Sequence, residues 1–439
     1  MTPEGGAPRL DSAPAPPETG PRGEGAAPVS EPESPGDAKA AAERLLDRVD
    51  AAARRLAAVR AERTQAQSIA HQAQVREALT RTELTLALNE ALIGRADALA
   101  RARNAAFEAW IADSRGSVRT RRRTGVSRAF DRALARMATP GKALVIARSG
   151  VWRGEGLTIY DLRHMAAYAR RGANPDVSPP ALFDQAWYLE AYPDVAAAGA
   201  APLVHYLLGG GDDGRAPHAL FDVEFYRRRN AADLSATGLT PLEHFVRIGA
   251  AQGRTPHPLF DVAHYLGQSP RLQPQEDPLS HYLREGWALG LSPHPLFDPA
   301  WYRQRAGRAA PQGPPLAHYV TKGWRQGIAP HPLFDPEWYL AQNPDVAEGG
   351  DEPLTHFVLN GASEGRSPSP WFDLPHYVAA RGEDLSPEAN PLIDYLQGGA
   401  WRVAEARPGF PTAAYLAGSP DLVREGVTPL EHWARRHAD

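Results

Sequence analysis

Cysteine is absent from the sequence of 439 residues, which excludes disulfide bonds and thiolate metal sites. Lysine is rare: apart from Lys39, Lys142 and Lys322, the basic residues are arginine. The formal net charge of −4 argues against nucleic acid as a partner, because binding it requires a strongly basic surface. No run of about 18 apolar residues occurs, so the sequence predicts no transmembrane helix.

Enzyme motifs are also missing. We find no glycine-rich phosphate-binding loop, no Asp-x-Asp pair of the kind that holds a metal-bound nucleotide sugar, and no Ser/His/Asp or paired-carboxylate arrangement. The sequence therefore offers no catalytic residue, no cofactor site and no metal site, and it favours a protein without enzymatic activity.

Proline and glycine, by contrast, are frequent, with 42 and 39 residues, as expected where short elements are interrupted every few residues. Their distribution divides the chain. Residues 1–36 are rich in both and have almost no large apolar side chain, which predicts a disordered tail. Three further regions follow, at 37–112, 113–181 and 182–439.

Residues 37–112 favour a long helix. The stretch 37–93 contains no proline or glycine, and its apolar residues step by four and three positions, which is a heptad seam. The seam consists of Leu45, Val49, Ala52, Leu56 and Val59, then weakens at Arg63 and continues as Ala66, Ala70 and Ala73. One interpretation is a coiled coil that joins copies of this chain through residues 37–93. The other is a helical hairpin that packs on itself, with Gly94 as its corner or as a simple interruption.

Residues 113–181 form an arginine-rich connector followed by a degenerate repeat. The segment 115–136 is strongly basic, and Phe130, Leu134 and Met137 follow at helical spacing. Such a segment either makes weak contact with an anionic membrane surface or serves as a flexible, solvated connector.

Residues 182–439 contain seven copies of a repeat of about 38 residues. Each copy has a phenylalanine, a tyrosine five residues later, and a Pro-Leu-x-His motif in which Asp394 replaces the histidine of copy six. A glycine lies 11 residues before the next phenylalanine in most copies. We name the copies repeats one to seven by their phenylalanines, which are Phe183, Phe221, Phe260, Phe297, Phe334, Phe372 and Phe410.

The recurrent residues of repeat five have a physical explanation. Asp335 is a good N-cap, and Pro336 suits the first helical position. Phe334 and Tyr339 then take the two positions of a hydrophobic staple. The anchors Pro353, His356 and Gly361 mark a second helix that starts at a proline and stops near a glycine. A short turn of helix at Asn343-Pro344-Asp345-Val346 lies between the two.

Each unit is thus two main helices with a short turn between them, and it is too small to form a core alone. We therefore predict an all-α fold, in which the long N-terminal helix, as coiled coil or hairpin, precedes an α-solenoid-like array of seven repeats. Repeat two adds a capping box at Thr240 and Glu243. Tyr168 and Gly172 lie at the offsets of a partial unit before the first repeat.

The repeat histidines raise the question of metal binding. They occur once per repeat, without a second ligand at metal-binding spacing. We predict buried histidines that bond a neighbouring carbonyl or an N-cap carboxylate. The six are His205, His244, His281, His318, His356 and His432.

A second set of basic residues lies in the turns between repeats. Equivalent turns of a solenoid fall on one face, and such faces often bind ligands. Binding to sugar hydroxyls or acidic groups and structural capping of the turns both remain open, and Leu291 and Ile328 replace the arginine in two copies. The candidate binding residues are Arg215, His218, Arg254, His257, His294, His331 and Arg366.

The repeat motif resembles a known pattern. Phe-Asp-x-x-Trp-Tyr-Leu-x-x-Asn-Pro-Asp-Val, then Pro-Leu-x-His-Phe and Gly-x-x-x-Gly-Arg-x-Pro, is complete from Phe334 to Pro368. It resembles short repeats of bacterial proteins described as glycosyltransferases or as polysaccharide (rhamnan-type) synthesis proteins. There, the repeats flank the catalytic domain, often after a coiled coil and an arginine-rich stretch. The resemblance covers about residues 182–439, and no glycosyltransferase domain accompanies it here.

The resemblance implies a role linked to bacterial cell-surface polysaccharide. Our expectation is a non-catalytic scaffold or binding module for its synthesis, attachment or recognition, with polysaccharide or another protein as partner. A glycosyltransferase-family enzyme is one alternative, and a structural or adhesive component of a surface or particle assembly is another. We expect a location in the cytoplasm or at the inner membrane, with the cell or particle surface as the alternative, because residues 1–36 lack the apolar core of a signal peptide.

Overall fold

The computed structural model of the chain describes residues 35–115, 138–152, 159–171, 179–268, 270–272, 276–402, 405–419, 422 and 427–437. The predicted tail at 1–36 lies outside these residues except for its last two positions, and the basic segment 115–136 except for Arg115. Gly172 of the partial unit also lies outside them. The described residues fall into two compact units, which comprise residues up to Arg81 and residues from Thr82 onward.

The fold is all-α, as predicted, and no strand occurs among the described residues. Three helices precede the repeats within the described residues: α1 at Pro35–Arg115, α2 at Ala138–Ser149 and α3 at Ile159–Arg171. None of the described helices is both long and apolar enough to cross a membrane.

Helix α1 runs through Gly94 without a break, so the hairpin alternative for this region is wrong. In the first unit, which comprises the Pro35–Arg81 part of this helix, the leucines and valines of the heptad seam are between 51% and 61% exposed. The seam is therefore present on the helix surface, and the described part of the first unit does not cover it.

Every repeat begins with a short first helix, as the N-cap and the hydrophobic staple predict. The N-cap aspartate accepts a hydrogen bond from a backbone amide of the first turn in six repeats, whereas Pro411 takes its place in repeat seven. The staple is present in all seven, with phenylalanine and tyrosine ring centroids 5.0 to 5.5 Å apart. The first helices are Gln185–Ala191, Val223–Arg229, Val262–Gly267, Pro299–Ala306, Pro336–Gln342, Leu374–Arg381 and Thr412–Gly418.

The second helix of each repeat starts at the proline of Pro-Leu-x-His. These helices are Pro202–His205, Pro241–His244, Pro278–His281, Pro315–Thr321, Pro353–His356, Pro391–Leu396 and Pro429–His437. Four of them continue into a π-helical turn that ends at the repeat glycine, at Tyr206–Gly210, Phe245–Gly249, Tyr282–Gly286 and Phe357–Gly361. Short 3₁₀ turns follow or replace them at Ala250–Gln252, Gly323–Gln326 and Gly399–Trp401.

Between the two main helices lies the short turn of helix, as predicted. It is α-helical at Pro193–Ala197, Ala231–Thr237 and Pro344–Gly349, and 3₁₀ at Gly307–Ala309 and Gly382–Asp384. The capping box at Thr240 and Glu243 is present with both of its hydrogen bonds.

Neighbouring repeats are joined by hydrogen bonds that recur. The amide of the N-cap aspartate donates to the proline carbonyl in the turn before the next repeat, as from Asp298 to Pro330 at 2.9 Å. A second recurrent bond ends on a tyrosine hydroxyl oxygen, which accepts from an amide of the next repeat. The Leu242 amide donates to Tyr206 Oη at 3.3 Å, and the Leu430 amide donates to Tyr395 Oη at 3.0 Å. Stacking therefore satisfies amides at helix N-termini that have no partner within their own helix.

The partial unit uses the same bond. The amide of Leu203 in repeat one donates to the hydroxyl oxygen of Tyr168 at 3.0 Å, and the Tyr168 side chain is fully buried. Helix α3 thus covers the first repeat as a second helix would.

In the second unit, the last repeat and the end of α1 pack on the middle of the array. Arg435 of repeat seven forms an ion pair with Asp298 of repeat four. Leu92 of α1 is buried in the core, and Asp97 bonds Arg402 at 2.5 Å. Residues from repeats three, four, six and seven lie around the Leu92–Arg103 segment of α1.

Candidate functional site

The repeat histidines pair with the repeat tyrosines. In six repeats the tyrosine hydroxyl oxygen lies 2.6 to 3.1 Å from histidine Nδ1. We predicted a neighbouring carbonyl or an N-cap carboxylate as the partner of the histidine. For Nδ1 this prediction is wrong, because its partner is the tyrosine hydroxyl. Burial raises the pKa of the tyrosines, including Tyr302, and lowers the pKa of His244 to about 4. The pair joins the two main helices of a repeat, and in repeat two it is an uncharged hydrogen bond at neutral pH.

The tyrosine hydroxyl also explains the repeat glycine. A Cβ atom built on Gly210 would lie 2.6 Å from the Tyr188 hydroxyl oxygen, and at the equivalent Gly323 it would overlap the Tyr302 hydroxyl. Any residue other than glycine would displace the tyrosine from its histidine. Phenylalanine, tyrosine, histidine and glycine are therefore parts of one structural unit.

Repeat six keeps this arrangement with different chemistry. Asp394 accepts a hydrogen bond from the Tyr377 hydroxyl at 2.5 Å and pairs with Arg381 Nε at 2.9 Å. Arg381 is 8% exposed, so the ion pair neutralises a buried charge.

The turn arginines are held by aspartates of their own repeat. Arg366 makes two hydrogen bonds of 2.8 Å with the carboxylate of Asp345, and Arg215 pairs with Asp194 in the same way. Arg254 pairs with Asp233. In the two copies with Leu291 or Ile328, the position of the aspartate holds Pro270 or Gly307. Arginine and aspartate thus occur together, as a structural pair requires.

The turn histidines are buried. The side chains of His218, His257, His294 and His331 are 3% to 7% exposed. Each Nδ1 accepts a hydrogen bond from the backbone amide two residues later, at 2.9 to 3.1 Å. Burial lowers the pKa of His218 and His257 to about 4 and that of His294 to about 3. Of the seven candidate binding residues, the four histidines therefore lie inside the array and the three arginines lie in ion pairs.

Another candidate site of the second unit lies under helix α1. A cavity of about 630 Å³ opens between the Leu92–Arg103 segment of α1 and repeats three, four, six and seven. Its volume is within the range of ligand pockets. Its apolar lining includes Leu99, Pro295 and Trp401, and its charged lining consists of Arg95, Arg103, Asp298, Glu431 and two histidines.

Arg103 and His264 form one wall of this cavity. The aliphatic stem of Arg103 covers Gly267, where an added Cβ would come within 2.8 Å of Arg103 Cγ. Burial lowers the pKa of His264 to about 4, and the nearby Arg103 charge adds to this effect. His264 Nε2 lies 3.1 Å from Ser292 Oγ. Among the described residues, the hydrogen bonds and ion pairs found do not engage the Arg103 guanidinium.

The opposite wall carries the contact between repeats four and seven. Arg435 bonds Glu431 at 2.8 Å and pairs with Asp298. Burial by itself raises the pKa of Asp298, but hydrogen bonds from the Trp301 amide and from Arg435 outweigh it and lower the pKa. His331 Nε2 faces Glu431 at 3.9 Å. The carboxylates on this wall are therefore compensated, and Arg103 adds positive charge to the cavity.

Within the described residues, no three histidine, aspartate or glutamate side chains converge in a way that would hold a metal ion. No family model, no curated protein and no solved structure matches this chain.

Sequence reasoning predicted His331, which lines the cavity together with the recurrent Phe297 and Asp298, but it missed the cavity as a whole because other contributors do not recur. Arg103 and Leu99 belong to the long helix, and Gln397 and Trp401 have no counterpart in the repeat motif. One available signal was the joint occurrence of arginine and aspartate 21 positions apart, which would have removed the turn arginines from the candidate site.

Proposed function

We propose that this chain is a non-catalytic repeat scaffold and binding module that serves bacterial cell-surface polysaccharide, with copies joined through the seam of α1. The observation that carries the proposal is the internal use of the recurrent polar residues. Tyrosine pairs with histidine, arginine with aspartate, and the turn histidines with backbone amides. A module built this way keeps its repeat constant and binds through residues that vary.

The link to polysaccharide rests on the resemblance of the repeat motif. The cavity under α1 supports a carbohydrate ligand in two respects. It combines apolar surface with a few polar groups, as small-molecule sites do, and the guanidinium of Arg103 favours a sugar that carries a carboxylate. We therefore place the ligand in this cavity, which His331 of the seven predicted turn residues lines.

A glycan array of bacterial polysaccharides, probed with the full chain, tests the proposal. We expect binding to at least one acidic polysaccharide. The Arg103→Glu variant should lose about tenfold or more in affinity, because a repelling charge replaces a charge-assisted hydrogen bond. Arg101→Glu is the matched control, because Arg101 lies on the same helix, is exposed and does not line the cavity.

Two results would overturn the proposal. One is the absence of binding to every polysaccharide on the array. The other is turnover in a nucleotide-sugar hydrolysis assay that disappears when a single residue is replaced, which would establish the glycosyltransferase alternative.

A further inference from the structure

The exposed heptad seam of the first unit shows a charge pattern that distinguishes parallel from antiparallel pairing. Along Pro35–Arg81, the seam residues Leu45, Val49, Leu56 and Val59 are all more than half exposed. A single helix of this length with an apolar stripe gains stability when the stripe is covered. A second copy of the same seam has the matching heptad spacing.

Parallel pairing in register is unfavourable for this sequence. Arg63 occupies a seam position, so it would face its own counterpart in the second copy. Arg55 directly precedes the seam residue Leu56 and flanks the seam. In a parallel pair it would contact Arg60 of the second copy. A parallel pair would thus contain one arginine contact in the seam and two beside it, each of them repulsive.

Antiparallel pairing removes these contacts. The register that sets Leu56 opposite Val59 of the second copy also sets Arg63 opposite Ala52 and Arg55 opposite Glu62. The contact between Arg55 and Glu62 occurs twice by symmetry and is attractive. A shift by one heptad would bring the two Arg55 side chains together. The charged residues and the apolar seam therefore favour the same antiparallel orientation and the same register of the two helices.

We propose that two copies of this chain associate as an antiparallel coiled coil over residues 45–70, with Val49 of each copy opposite Ala66 of the other. This inference rests on the proposed self-association and adds its orientation, register and number of chains. It makes no claim about the polysaccharide ligand.

Cysteine cross-linking tests the arrangement cleanly, because the sequence contains no cysteine. Light scattering on the full chain should give the mass of a dimer. Val49→Cys alone and Ala66→Cys alone should form no disulfide, because equal positions lie about 25 Å apart along the axis at 1.5 Å per residue. A mixture of the two variants should form a covalent dimer under mild oxidation.

A charge exchange tests the same pairing without touching the seam. Glu62→Arg should weaken the dimer by about tenfold, because two attractive contacts become repulsive. Adding Arg55→Glu should restore it. Asp50→Arg is the control, because this position points away from the partner. In a parallel dimer Glu62 would face Gln67, and Glu62→Arg would have no such effect.

Three results would overturn the proposal: a monomeric mass, cross-linking of Val49→Cys by itself, or preferential cross-linking of Val49→Cys to Val59→Cys. Glycan binding, measured on the same samples, separates this outcome from a failure of the proposed function. A monomer that still binds polysaccharide overturns only the dimer, and a dimer without polysaccharide binding overturns only the ligand.

Discussion

Arg381 and Asp394 form a buried ion pair in repeat six, with Nε and Oδ2 2.9 Å apart, at the place where the other repeats have a tyrosine–histidine pair. The tyrosine is retained, and Tyr377 donates to the same carboxylate. Repeat six thus has an ion pair at the place where the other repeats have a tyrosine–histidine hydrogen bond.

The first prediction concerns this network. Asp394→Ala should destabilise the array by about 3 kcal/mol, because Arg381 would remain buried without its counter-ion. The double variant Arg381→Ala/Asp394→His recreates the residues of repeat four, where Ala306 and His318 take these positions, and should recover most of the loss. Denaturant unfolding measures both. Equal stability of the single and the double variant would contradict the network.

The second prediction concerns pH. The folded-state pKa of His218, His257 and His264 is lowered by burial to about 4, below the ordinary value near 6.5. Between these values the unfolded chain binds more protons, so stability falls as the pH decreases from about 6.5 towards 4. Thermal unfolding should show a lower melting temperature as the pH decreases across this window. Above pH 7 these three histidines should no longer change the stability.

A histidine variant provides the control for this pH dependence. His257→Asn keeps an acceptor for the Leu259 amide but cannot be protonated in this range. Its stability should therefore depend less steeply on pH than that of the unmodified chain. An unchanged slope would show that His257 does not contribute to the titration.

The third prediction separates structure from binding on the turn face. Arg366→Ala breaks the pair with Asp345 and should lower the melting temperature slightly, because an exposed ion pair contributes little. Polysaccharide affinity on the array should stay unchanged. Asp345→Asn is the matched variant and should have the same small effect. A loss of affinity in Arg366→Ala with unchanged stability would instead assign Arg366 to a binding face.

Local patterns in the sequence predicted the local structure. The N-cap Asp335 and the staple of Phe334 and Tyr339 involve residues within about one helical turn. Their spacing in the sequence was therefore enough to predict them. The partner of His356 was harder, because Tyr339 lies 17 positions away and its hydroxyl reaches the histidine only after the two helices pack. The tyrosine recurs in seven copies and the histidine in six, which indicates that both residues are needed but not that they are in contact.

The candidate site was predicted less well, for a related reason. Repetition drew attention to residues such as His294, which recur because the fold needs them. Arg103 does not recur and lies far in sequence from Trp401, so only the packing of α1 on the array brings them to one cavity. In this protein, most recurrent residues serve the packing of the repeats. Several residues that line the cavity, such as Arg103 and Trp401, lie outside the recurrent pattern.

The fourth prediction addresses the central claim, that the recurrent residues are kept for packing. Gly323→Ala should destabilise the protein by about 1–3 kcal/mol, because the added methyl group overlaps the Tyr302 hydroxyl. Tyr302→Phe alone should cost about 1 kcal/mol for the lost bond to His318. Gly313→Ala is the control, because nothing lies within 4 Å of its added Cβ.

The double-mutant cycle of Gly323→Ala and Tyr302→Phe, measured by denaturant unfolding, is the most direct test. We predict that the double variant is clearly more stable than the sum of the single effects implies, because removing the hydroxyl makes room for the methyl group. Additive effects, or a Gly323→Ala variant as stable as Gly313→Ala, would contradict it.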